Sequence, residues 1–83
     1  MENKIDFYLW SVQREIVHRH GCDAAERAMY PLAWYVYTGR GSATFLSLLL
    51  SARPVLIARD LMSGGSDDEI IDRVCKRIGY QRF

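Results

Sequence analysis

GGSDDEIIDRVCKRIGY, running from Gly64 to Tyr80, is the stretch whose reading decides the fold. Ser66 stands three residues before Glu69, so its hydroxyl can accept from the Glu69 backbone N–H while the glutamate reaches back to the Ser66 N–H. This reciprocal capping box opens a helix. Asp67, Asp68 and Glu69 crowd the end where the helix dipole favours negative charge, and Arg73, Lys76 and Arg77 lie towards the other end, ahead of Gly79 as the stop. The same punctuation recurs through the chain, with segments that end at glycine or proline and restart at a capping residue.

Working back from Gly64, PVLIARDLM (54–62) reads as a helix with Pro54 in its first turn. ATFLSLLLSA (43–52) reads as another, capped by Ser42 after the GRG linker and ended by Arg53 and Pro54. PLAWYVYTG (31–39) is apolar all round and is expected to be the most buried segment, with Gly39 as its stop. Asp23 and Glu26 suggest a D-x-x-E cap for a short helix reaching Met29 or Tyr30, and Pro31 is expected to bend or break the chain there. Residues 4–20 carry Ile5, Leu9, Val12 and Ile16 at helical spacing, flanked by Tyr8, and Gly21 follows as the stop. The expected fold class is all-α: one domain, 1–83, built as a compact orthogonal bundle of five to six short helices.

Composition bounds what such a domain can be. With 49% hydrophobic and 25% charged residues the chain is ordinary for a globular protein, and only the first three or four residues and Gln81 to Phe83 are expected to be loose. Cys22 and Cys75 form no C-x-x-C pair, and MENKIDFYLW lacks the features of a signal peptide, so a cytoplasmic setting with reduced thiols is expected. The apolar runs fall short of the ~20 residues that span a bilayer, which argues against membrane insertion.

Candidate chemistry is thin. His18, His20 and Cys22 with Cys75 could supply four zinc ligands, but residues two apart on a helix point in nearly opposite directions, and both histidines suit the negative end of a helix. GRGS (39–42) lacks the lysine of a phosphate loop. No nucleophile, base and orienting group can be named together. The expectation is therefore no enzyme, no catalytic residue, no metal and no cofactor.

LMSGGSDDEI, Leu61 to Ile70, resembles the helix, turn and second-helix start of LuxR-type helix-turn-helix regulators. The likeness covers about ten residues. In that family a basic recognition helix follows, whereas here the chain runs through Arg73, Lys76 and Arg77 to Phe83 with no such helix expected. Asp67, Asp68 and Glu69 would meet phosphate with like charge. A basic patch at Arg14, His18, Arg19 and His20 is the other route to nucleic acid, weighed against a net charge of only +1.

What remains is surface. Two tryptophans, five tyrosines and three phenylalanines are more than so small a core readily hides. On the first helix, Trp10 and Val17 lie off the core stripe and Phe7 lies further round beside Arg14. These four, Phe7, Trp10, Arg14 and Val17, are the expected contact face, with Arg14 as a polar fork beside apolar anchors. The leading expectation is a small helical interaction protein, self-associating as a homodimer, that acts as a regulator or inhibitor by occupying a larger protein, of the kind phages and plasmids encode. A small DNA-binding transcriptional regulator is the alternative.

Overall fold

A computed structural model describes residues 4–82, and these fold into five helices: α1 (Lys4–His20), α2 (Cys22–Tyr37), α3 (Ala43–Ser51), α4 (Pro54–Met62) and α5 (Asp67–Ile78). The architecture is the all-α bundle that the segment punctuation implies. Its radius of gyration, 11.7 Å, matches the ~12 Å expected of a compact chain of this length. The expected loose ends at 1–3 and 83 lie outside the described residues. Arg82, expected to be loose, is instead tied down: its guanidinium donates to Asp72 at 2.7 Å and to Asp68 at 3.0 Å.

α1 and α2 are joined by a single residue, Gly21, whose φ of 92° is open to glycine and strained for other residues. Their far ends also meet, because the Tyr37 hydroxyl donates to the Asp6 carboxylate. Two helices of near-equal length joined at one end and touching at the other form an antiparallel hairpin. α4 packs along α1 as well, and α3 and α5 complete the core. Val12, Ile16, Leu32, Phe45, Leu49, Ile57 and Val74 are its largest fully buried side chains, drawn from all five helices.

Two expectations about α2 need correcting. The helix begins at Cys22 with Gly21 as its N-cap and no side-chain cap, so Asp23 sits within the first turn and does not cap it. The one-residue turn leaves no room for a separate capping loop. Pro31 neither breaks nor ends the helix, which runs unbroken from 22 to 37. Proline removes the N–H that would bond the Arg27 carbonyl, yet Ala25, Met29, Leu32, Tyr35 and Val36 on both sides of it are buried on one face. Tertiary burial of that face outweighs the local penalty.

The other boundaries follow local chemistry. The Ser42 hydroxyl accepts from Phe45 N–H at 3.1 Å, Pro54 opens α4, and the Ser66–Glu69 box is complete. Gly41 has a packing reason to be glycine, since a Cβ there would come within 2.8 Å of the Phe45 ring. The C-terminal turn of α4 is held by α5. Arg73 donates to the backbone carbonyls of Asp60 and Gly64, each at 2.9 Å, and Arg77 grips the Asp60 carboxylate through Nε and Nη2. Asp60 is 4% exposed, the buried acid of the core.

A candidate interaction surface on the α1–α2 hairpin

Five aromatic side chains project from the hairpin into solvent: Phe7 is 60% exposed, Trp10 52%, Tyr30 61%, Trp34 44% and Tyr37 59%. Three of the four expected contact residues are brought together on α1. The Phe7 and Trp10 rings lie 6.0 Å apart, tilted by 30°, and the Arg14 guanidinium lies 5.4 Å from the centre of the indole. The helix places them there because 7, 10 and 14 are spaced by three and four residues and so share one face. Val17 does not join them; it is half-buried against the core. Stacking of this kind holds a rotamer-rich arginine in place before any partner arrives.

α2 carries a second aromatic stripe. Tyr30, Trp34 and Tyr37 occupy one helix face at intervals of four and three, opposite the buried Ala25, Met29, Leu32 and Val36. The segment expected to be most buried is thus split, with Leu32, Tyr35 and Val36 inside and Trp34 and Tyr37 outside. Arg40, just beyond the helix end, lies 4.9 Å from the Trp34 ring centre. The pattern of an arginine over a tryptophan occurs on both helices.

The two aromatic sets meet where Tyr37 bonds Asp6, the residue before Phe7. That hydrogen bond, with partial burial and the Asp6 charge, pushes the Tyr37 phenol up to about 12. Tyr8, on the buried side of α1, donates to the Ala52 carbonyl at 2.9 Å, and burial raises its phenol further. With ~200 Å² per aromatic side chain, the five exposures leave roughly 550 Å² of aromatic surface in water. Split between the helices, this is roughly 220 Å² on α1 and 330 Å² on α2, each within what monomeric proteins leave uncovered.

Charge borders both aromatic sets: Arg14 also lines a basic seam beside α1, and Arg40, Asp67, Asp68 and Arg82 line a cleft with Tyr30 and Trp34. Along the seam between α1 and α4 run two open clefts, of about 610 and 240 Å³. Arg14, His18 and Arg53 line the first and Arg19, His20 and Arg59 the second, and Glu15 is the carboxylate common to both. Acids concentrate at the start of α5. A net charge near zero therefore conceals a basic side, to which Arg53, just before α4, and Arg59 within it contribute, and the helical phase of α1 alone gives no means of finding them.

Among the described residues no three His, Cys, Asp or Glu side chains are grouped to hold a metal ion. Cys22 is exposed, whereas Cys75 is buried, and burial pushes its thiol up. Among the described residues no helix is long and apolar enough to cross a membrane. The Leu61–Ile70 segment does form the end of α4, a turn and the start of α5, with the acidic first turn of α5 exposed. No protein-family model, curated protein or solved structure matches the chain.

Proposed function

We propose that this chain is a non-enzymatic interaction module that pairs with itself and binds a larger protein, acting as a regulator or inhibitor by occupying that protein's surface. The observation that carries the reading is the exposed Phe7–Trp10–Arg14 cluster. Tryptophan and arginine are the residue types that dominate binding energy in protein interfaces, and here they are already stacked. Their exposure serves no purpose in the fold, because the core closes beneath them at Ile5, Leu9 and Val12. The exposed Cys22 thiol is compatible with a reducing cytoplasm.

The test is affinity capture from the native cell with the wild-type chain and with Phe7→Ala/Trp10→Ala. The expected result is a protein retained by the first and lost from the second while helicity is unchanged. The same proteins recovered with both baits would refute the reading.

The basic α1–α4 seam favours a second reading, in which the chain holds nucleic acid through its phosphates. Four arginines engaging four phosphates predict a log–log salt slope of about −3.5 on duplex DNA. Anisotropy titrations between low and moderate salt check it, with reversal of Arg14 and Arg19 expected to flatten the slope by about half.

A further inference from the structure

We propose that α2 is the self-association surface and that two copies pair through it in antiparallel orientation, Tyr30 of each facing Trp34 of the other. This rests on the self-association in the reading above and assigns it to a surface separate from Phe7 and Trp10.

The stripe is self-complementary only in that orientation. Its N-terminal end carries Asp23 and Glu26, both exposed, and its C-terminal end carries Arg40, which makes no ion pair among the described residues and shares a cleft with Trp34, Asp67 and the Asp68 that Arg82 already pairs. With Tyr30 opposite Trp34, the acids of each copy come alongside Arg40 of the other, and Arg27 comes alongside Tyr37. Parallel pairing would instead set Asp23 and Glu26 against their own copies and Arg40 against Arg40. Antiparallel packing also opposes the two helix dipoles favourably. A two-fold axis through the Tyr30–Trp34 turn repeats each contact twice, as an isologous dimer requires.

Area sets the strength. Tyr30, Trp34 and Tyr37 leave roughly 330 Å² uncovered per copy at ~200 Å² per ring, or about 650 Å² for the pair. The arginine and acidic flanks must supply the remainder of the ~1,000–1,200 Å² at which specific interfaces begin. An interface of that size falls in the weak, transient class.

Sedimentation equilibrium from 5 µM to 1 mM measures this directly. The wild type should pass from monomer to dimer across that range, and Trp34→Ala should stay monomeric throughout. Arg40→Glu should raise the dissociation constant at least tenfold, and adding Asp23→Lys should restore it. All of these sites are exposed, and circular dichroism confirms that each variant is folded. Dimerisation unchanged by Trp34→Ala and Arg40→Glu but abolished by Trp10→Ala would overturn the α2 assignment and leave self-association standing. A 9.6 kDa particle at every concentration would overturn both, while the capture of a larger partner remains a separate result.

Discussion

Replacing Pro31 by alanine should stabilise the protein. Pro31 is the tenth of the sixteen residues of α2, well inside the helix, where proline is about 3 kcal/mol less favourable than alanine because it lacks an N–H and crowds the preceding turn. Against that, the ring is buried, and the substitution removes about two methylenes worth ~0.8 kcal/mol each. The helix term wins by about 1.5 kcal/mol. In a domain of this size, with ~4–12 kcal/mol of total stability, the midpoint of thermal unfolding should rise by about 6–12 °C. Thermal and urea unfolding followed at 222 nm supply the assay, and a parallel Ala33→Gly variant, expected to lose about 1 kcal/mol, verifies that helix propensity at this turn is registered. Loss of stability on Pro31→Ala would refute the account of α2: it would mean that the ring, or a bend it imposes, is part of how α2 seats against the core.

Other consequences follow from the same contacts. Asp60→Asn keeps the shape of a buried side chain but weakens its charge-assisted bonds to Arg77, and should cost about 2 kcal/mol in urea unfolding. Ser66→Ala removes the cap of α5 and should cost about 1 kcal/mol. The Ser66 backbone N–H, with its hydroxyl, holds the Glu69 carboxyl below its ordinary range. The contribution of that bond is therefore present above the ordinary glutamate value and fades as pH falls through the lowered one, which unfolding midpoints from pH 6 to 2 would follow. Tyr8 and Tyr37 have the opposite sign. Their phenols are raised above 10, the unfolded state loses those protons first, and stability should decline as pH rises from 10 towards 12, less steeply in Tyr37→Phe.

The readability of the chain divides by range. The Ser66–Glu69 box, the Ser42 cap, Pro54 and the Gly79 stop are legible because each is settled by atoms within four residues. Pro31 is misleading because its local penalty is overruled by burial of residues on either side, a sum over partners on α1, α4 and α5. The outer face of α2 is hidden for another reason: in an apolar run, helical phase separates two faces without saying which one looks outward. The signal is the interval between Tyr30, Trp34 and Tyr37, aromatics carrying polar handles or large rims, set against the smaller Ala25 and Met29 opposite. On α1 the off-stripe position of Phe7, Trp10 and Arg14 is legible, because charged and apolar residues alternate sharply enough to mark the core side. The Asp60 grip by Arg77 and the basic seam both depend on how α4 is laid beside its neighbours, and no local pattern carries that.

A photoreactive phenylalanine analogue placed at position 7 or 10, and at Lys76 as an exposed control, tests the proposed contact face most directly in the living cell. A covalent adduct with one larger protein should form from 7 and from 10 and be absent from 76. Adducts that form equally from all three positions, or from none, would contradict it.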